Sequence, residues 1–372
     1  MSALALRTGA VNLGQGFPDT DGPSSVAQAA ADAVLSGRGN QYPPGPGIPE
    51  LRKAIGDHQL AEYGVHLDPD SEVLVTAGAT EAIAAAMLAL VDDGDEVIAL
   101  EPFYDSYAAT VTMARGTIVP VRLSAPDFGL DEALLRSAVT DRTRVILLNS
   151  PHNPTGAVLS ASELALVASV ASDHDLLVVA DEVYEHLAFD RAHTPVAALP
   201  GMRERTITIS SIGKSFSYTG WKIGWVTGPK SLVSAVRATK QYLTFVSGGP
   251  LQYGAAYALT HERRWVDQLR DDLARRRDLL CEGLTALGLA VHRPGGTYFV
   301  TTDVRSLGWA DGMTFCRELP ERAGVVAIPC SPFYADLDAE AAAMVRWTFC
   351  KRDAVLDEAL MRLSGSDLSP RR

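Results

Sequence analysis

Between about residues 71 and 230 the chain alternates between two hydrophobic rhythms. Short, nearly unbroken apolar runs rich in Val, Ile and Leu fall at 72–76, 96–101, 117–120, 144–149, 176–181, 206–210 and 225–227. Unbroken runs suit strands covered on both faces of a sheet. Between them, 81–91, 106–115, 131–139 and 161–173 read as helices. Strand and helix in turn predict an α/β unit with a mostly parallel sheet flanked by helices.

Beyond residue 230 the rhythm changes. Residues 230–247 and 251–287 read as helices, the second long enough to link two domains. Short strands are expected at 289–293, 297–301, 325–328 and 345–350, with helices at 313–323 and 352–363. This pattern predicts a smaller α+β C-terminal domain. The first 45 residues are crowded with Gly and Pro, ending in Pro43-Pro44-Gly45-Pro46-Gly47, and are expected to form an irregular arm rather than core. The division that follows is an arm (1–45), a large domain (46–265) and a small domain (266–372) that takes up part of the arm. Residues 364–372 are expected to be a disordered tail.

Charge narrows the partners. With 33 Lys and Arg against 45 Asp and Glu, the 372-residue chain carries a net charge of −12, which repels nucleic acid and anionic membranes. The Arg275-Arg276-Arg277 run is flanked by Asp271, Asp272 and Asp278 and reads as a solvated helix face. The longest apolar run, 82–91, is ten residues, about half of the roughly 20 needed to span a bilayer. No basic segment followed by an apolar core opens the chain, so no signal peptide is expected. Cys281, Cys316, Cys330 and Cys350 are scattered, which disfavours a zinc site and a disulfide scaffold and makes a reduced, cytoplasmic compartment the default.

Open α/β sheets bind ligands at the carboxyl ends of their strands. After 72–76 comes Ala77-Gly78-Ala79-Thr80-Glu81, where small residues at a helix start let backbone N–H groups approach an anion; a tight turn explains it equally well. After 144–149 comes Ser150-Pro151-His152-Asn153-Pro154-Thr155-Gly156, turn chemistry that presents an amide at Asn153. Asp181 closes an apolar strand, where an unpaired carboxylate is costly, so it should find a cationic or N–H partner. Beyond 206–210, Lys214 and Lys222 lie eight apart among glycines and aromatics, unusual for a surface loop.

Taken in order, Asn12-Leu13-Gly14-Gln15-Gly16-Phe17-Pro18, Asn40-Gln41-Tyr42, Asn153-Pro154-Thr155-Gly156, Asp181-Glu182-Val183-Tyr184, Ser211-x-x-Lys214, Lys222 and Arg346 resemble the class I, fold-type-I aminotransferases that depend on pyridoxal phosphate. The resemblance covers nearly the whole chain. Within the class it is similar to the kynurenine/glutamine/methionine aminotransferase branch and to actinobacterial N-succinyldiaminopimelate aminotransferases. It implies a ping-pong exchange of an amino group between an L-amino acid and a 2-oxo acid. By position it implies Lys214 as the lysine that holds the cofactor, Asp181 as partner of its ring nitrogen, and Asn153 and Tyr184 as partners of its ring oxygen. Tyr104 matches the aromatic stacked on the cofactor. Ala79, Thr80, Ser211 and Lys222 match the phosphate cradle, with Tyr42 reaching it from the partner of a homodimer. Arg346 and Gly16 match contacts to the substrate carboxylate, where a planar guanidinium suits bidentate binding.

Only eleven residues precede Asn12, fewer than relatives usually have, which implies a more open site or a late-assigned start. Asp127-Phe128-Gly129 reads as a loop without a role. His152 is explained by its turn, His58 and His186 by helix or loop surfaces, and Cys330 by packing. A β-lyase acting on sulfur amino acids would keep the cofactor and change the reaction. The sensor half of a transcription regulator would need an added basic domain, and a nicotinamide dehydrogenase would need a Gly-x-Gly-x-x-Gly after an early strand; neither feature is present.

Overall fold

The computed structural model describes residues 1–370. The predicted irregular arm is in fact structured. Helix α1 (Ser2–Thr8) leads into strand β1 (Val11–Asn12), and α2 (Ser24–Leu35) follows. Leu13, Val26, Ala30 and Ala33 of this segment are buried. The Gly- and Pro-rich stretches lie between these elements, so their composition marks the connections and hides the short elements they join.

Helix α3 (Pro49–Tyr63) then precedes a seven-stranded sheet: β2 (Val73–Thr76), β3 (Glu96–Glu101), β4 (Thr117–Arg122), β5 (Thr143–Asn149), β6 (Leu177–Asp181), β7 (Thr206–Ser211) and β8 (Gly224–Thr227). Its order is β2-β8-β7-β6-β5-β3-β4, with β8 antiparallel to both neighbours and the other pairs parallel. Helices α4 (Gly78–Leu90), α5 (Ser106–Met113), α6 (Glu132–Ser137) and α7 (Ala161–Asp173) connect the strands. The unbroken apolar runs have the expected cause. Val97, Ala99, Val145, Leu147 and Val179 face one core, whereas Ile98, Leu100, Ile146, Leu148 and Val178 face a second on the other side. Local signals also fix helix starts: Ser160 and Glu163 form a reciprocal capping box on α7.

Short α8 (Ile212–Ser215) follows β7, and α9 (Lys230–Lys240) stops short of the predicted residue 247. The single helix expected over 251–287 is two, α10 (Gly249–His261) and α11 (Arg263–Ala286). The break is at Glu262, whose carboxylate accepts the Ser25 hydroxyl of α2, while Arg263 pairs with Glu62 of α3. The break is thus set by tertiary partners, not by the hydrophobic period.

Strands β9 (Ala290–His292), β10 (Phe299–Asp303), β11 (Val325–Val326), β12 (Ile328–Pro329) and β13 (Met344–Thr348) come next, with α12 (Gly312–Ala323) and α13 (Ala339–Ala343) among them. The one strand expected at 325–328 is divided: β11 pairs with β1, and β12 joins an antiparallel sheet ordered β12-β13-β10-β9. Helix α14 (Asp353–Ser364) covers this region. The predicted disordered tail is packed as far as it is described: Leu368 is buried and its carbonyl accepts Trp309 Nε1–H at 2.6 Å. Residues 371–372 of that expectation lie outside the described residues. Asp127-Phe128-Gly129 also has a structural role, with the Phe128 ring buried edge-on against His292. No helix among the described residues is long and apolar enough to cross a membrane.

Candidate active site

A cavity of about 290 Å³ opens at the carboxyl ends of β5, β6 and β7 and is closed on the other side by β13 and the segment after β1. It is lined by Gly16, Ala79, Thr80, Tyr104, Asn153, Asp181, Tyr184, Ser211, Lys214, Lys222 and Arg346, which are eleven of the twelve residues singled out in the sequence. Tyr42 is the exception. It is 82% exposed and packs its ring edge-on against Phe245, outside this cavity.

Asp181 ends β6, in register with Asn149 of β5 and Ile209 of β7. Its carboxylate accepts the Tyr107 hydroxyl at 2.6 Å and, more weakly, the Val183 N–H at 3.4 Å. The expected partner is therefore chiefly a hydroxyl, reinforced by an N–H. Burial pushes the Asp181 carboxyl up to about 6, while the Tyr107 bond pulls the other way. Asn149, not singled out in the sequence, ties two motifs together. Its Nδ2 donates to the Asp181 carbonyl and its Oδ1 accepts the Asn153 N–H, both at 2.7 Å.

Lys214 sits in α8, directly after β7. Burial lowers its ammonium to about 8. Its Nζ donates to the Tyr298 hydroxyl at 2.9 Å, which in turn donates to the Gly16 carbonyl at 2.6 Å. Tyr298 was missed in the sequence. Its local trace is Gly295-Gly296 just before it, where a Cβ on Gly296 would meet the Leu187 carbonyl at 2.8 Å.

Gly78, Ala79 and Thr80 open α4, and the first N–H groups of a helix have no intrahelical acceptor. The Lys222 ammonium lies 3.4 Å from the Thr80 hydroxyl. The approach of β8 to this turn requires a bare backbone: a Cβ on Gly224 would lie 2.8 Å from the Ala79 nitrogen. Free N–H groups, a hydroxyl at Ser211 and an ammonium form a donor set that could hold a phosphate. Across the cavity, Arg346 of β13 donates through Nη1 to Asn153 Oδ1 at 2.7 Å, and its guanidinium lies 4.0 Å from the Phe299 ring centroid. Arg346 Nε is buried without a partner, a donor left for a ligand. The charged lining is three cations, Lys214, Lys222 and Arg346, against one carboxylate, Asp181, on a chain of net charge −12. The cavity is built for an anionic ligand.

Not every candidate gathers here. Tyr107 also lines the cavity, whereas Phe333 packs in the core beside it, and so does Cys330, as its packing reading expected. His152 is buried in its turn, with Nδ1 2.7 Å from the Thr155 hydroxyl, and burial lowers it to about 4. His58 and His186, expected on surfaces, are instead packed against each other and against Glu185 behind the site.

The chain is similar to known proteins along nearly its whole length. The family described as aminotransferase class I and II matches residues 8–363. The probable N-succinyldiaminopimelate aminotransferase of Mycobacterium tuberculosis strain H37Rv is 56% identical over 98% of this chain and 94% of its own length. The solved N-succinyldiaminopimelate aminotransferase from that species superposes with a TM-score of 0.96, covering 98% of this chain and 95% of that one. The methionine aminotransferase of Escherichia coli K12 is 39% identical over 98% of this chain and 94% of its own. A Thermus thermophilus aspartate aminotransferase structure reaches a TM-score of 0.91 at 36% identity, covering 98% of this chain and 94% of that one.

Proposed function

We propose that this chain, which belongs to the class I and II aminotransferases, uses pyridoxal phosphate to exchange an amino group between N-succinyl-LL-diaminopimelate and 2-oxoglutarate, as in lysine biosynthesis. The supporting observation is the 56% identity, over nearly its full length, to a relative named for that substrate, against 39% to the methionine enzyme. The reading takes the chain as an arm (1–45), a large cofactor-holding domain (46–265) and a small domain (266–372). It places the enzyme in the cytoplasm, in keeping with four free, buried cysteines.

In this reading Ala79 and Thr80 N–H, the Ser211 hydroxyl and the Lys222 ammonium hold the phosphate. Asp181 faces the ring nitrogen, Tyr104 covers the ring, and Asn153 and Tyr184 serve its oxygen. When bound, the cofactor supplies a carbonyl for the amino group and a ring that draws electrons from the substrate Cα. Burial lowers Lys214 to about 8, so a useful share of its Nζ is unprotonated near neutral pH. Freed from Tyr298, that nitrogen takes the proton from the substrate Cα and later returns one to the product. Arg346 orients the substrate carboxylate, with Asn153 Oδ1 steadying one Nη and the unpartnered Nε available. The Gly16 segment closes the same end of the cavity.

The exposed Tyr42, remote from its own cavity, supports a homodimer in which it reaches the partner's phosphate. A Lys214→Ala chain mixed with a Tyr42→Ala chain then regains activity on subunit exchange, because one site keeps its own Lys214 and Arg346 and receives an intact Tyr42. A fully active monomer rejects the shared site.

The substrate is tested by mixing the cofactor-loaded enzyme with single amino acids and following the absorbance change of the half-reaction. N-succinyl-LL-diaminopimelate should react at least about tenfold more efficiently than methionine, kynurenine or glutamine, a difference of about 1.4 kcal/mol at the transition state. Faster reaction with methionine or kynurenine assigns the enzyme to that branch, a reading favoured by the aromatic lining at Tyr104 and Tyr107. Pyruvate and ammonia from an S-substituted cysteine would mark a β-lyase.

A further inference from the structure

Behind the turn that carries Asp181 and Tyr184, three side chains converge from separate parts of the chain. His58 comes from α3, and Glu185 and His186 follow β6. One ligand atom from each lies within 4.8 Å of the others, and His58 Nε2 and Glu185 Oε2 are 3.4 Å apart. Two imidazoles and a carboxylate are the three-ligand set that binds zinc-like divalent ions with one coordination position open. Donors bound at about 2.0–2.1 Å in a tetrahedron stand about 3.4 Å apart, so one pair is already at that spacing and the third ligand has at most about 1.4 Å to close.

The surroundings add independent support. Ligating histidines usually bond an oxygen through their second nitrogen, and ligating carboxylates are themselves held by donors. His186 Nδ1 lies 2.7 Å from the Ser215 hydroxyl, and Glu185 Oε1 accepts the Ser210 hydroxyl. The Glu185 side chain is 1% exposed and that of His58 7%. Glu182 beside them is fully buried, with Oε2 3.2 Å from His193 Nε2. Arg263, which lines the adjoining cavity, is already paired with Glu62 and Asp267. Buried carboxylates in such surroundings need positive charge. A cavity of about 280 Å³, lined by Asp57, His58, Glu62, His186, Phe216 and Arg263, adjoins the cluster. It supplies an approach for the ion and room for a water as fourth ligand.

We propose that His58, Glu185 and His186 form a binding site for a zinc-class divalent metal ion, separate from the cofactor cavity. The ion pins α3 to the turn after β6. That turn presents Asp181 and Tyr184 on its other face, and Ser215, bonded to His186, follows Lys214 in sequence. The site is therefore structural, and it does not depend on which amino acid the enzyme uses.

The test uses the full chain, supplied with pyridoxal phosphate and dialysed against a chelator, titrated with cobalt(II) and zinc(II). One equivalent should bind with a Kd below about 1 µM. Cobalt should show visible bands of a four- or five-coordinate ion, and zinc should raise Tm. His58→Ala and His186→Ala should each weaken binding by at least about 100-fold. Anomalous diffraction at the zinc edge from wild-type crystals locates the ion without any variant. A wild type that takes up no stoichiometric ion, an anomalous peak elsewhere, or affinity unchanged in both variants overturns the proposal.

Discussion

The two walls of the active-site cavity are built on different plans. One wall comes from a single sheet. Asp181, Ser211 and Lys214 lie at the ends of adjacent strands or one step beyond, and their spacing is set by strand pairing. The opposite wall is assembled from distant segments. Arg346 lies in β13, Tyr298 just before β10 and Gly16 just after β1, and a few long-range bonds join them. Leu13 O accepts Thr348 N–H at 2.7 Å, Arg346 reaches Gly14 O at 3.4 Å, and Lys351 Nζ donates to Phe17 O at 2.7 Å. In the proposed reading the sheet wall holds the cofactor, which stays through every turnover, and rigid strand register suits that task. In the same reading the second wall meets a substrate that changes between half-reactions, so damage there should appear mainly as lost substrate recognition.

The largest expected effect tests the sheet wall. Lys214→Ala should reduce kcat by at least about 10⁴-fold, because it removes both the amine proposed to hold the cofactor and the base proposed to act at the substrate Cα. The check is single-turnover kinetics together with borohydride trapping, which should label the wild type and not the variant. Label on Lys222 would move the chemistry to the cradle. On the opposite wall, Arg346→Ala should cost about 10²–10³-fold in kcat/KM, the loss of a buried charge-assisted pair, carried mainly by KM. It also strips Asn153 of its guanidinium partner. If kcat fell alone while KM held, the two walls would not divide the work in this way.

The walls also differ in how far the sequence reveals them. Buried parallel strands carry a dense local signal, so the strand ends, and with them Asp181 and Lys214, are legible in the sequence alone. Arg346 sits in an alternating strand that reads equally well as a surface strand; only the family resemblance assigns it. Tyr107 lies 74 residues from the carboxylate it serves and leaves no local trace. His58 was open to a better reading. It follows buried Leu51, Ala54 and Ile55 at helical spacing, on one face of α3, so its burial is written in the period and a surface was the wrong expectation. The arm failed for the opposite reason, since β1 is too short to show a rhythm and is defined by its pairing with β11.

The smallest expected effect probes how finely the sheet wall is tuned. Tyr107 is buried and its hydroxyl bonds the charged form of Asp181, so Tyr107→Phe deletes one charge-assisted bond with little change of shape. Without it, burial acts unopposed, and the Asp181 carboxyl should rise above its value of about 6 by about one unit, each unit being about 1.4 kcal/mol. Only the ionised carboxylate can face a protonated ring nitrogen. Cofactor affinity should therefore fall as pH drops through about 6 in the wild type and through a value about one unit higher in the variant. The stability of the cofactor-free protein has the opposite sense. Its carboxyl is raised from 3.8 to about 6, so the folded state holds the extra proton in that window and loses stability as pH rises across it. The variant should extend that loss to higher pH. Fluorescence titration of pyridoxal phosphate from pH 5 to 8, paired with urea unfolding of the cofactor-free protein, reads both slopes. Coincident wild-type and variant curves would mean that Asp181 is tuned by burial alone and that the hydroxyl serves only to fill space.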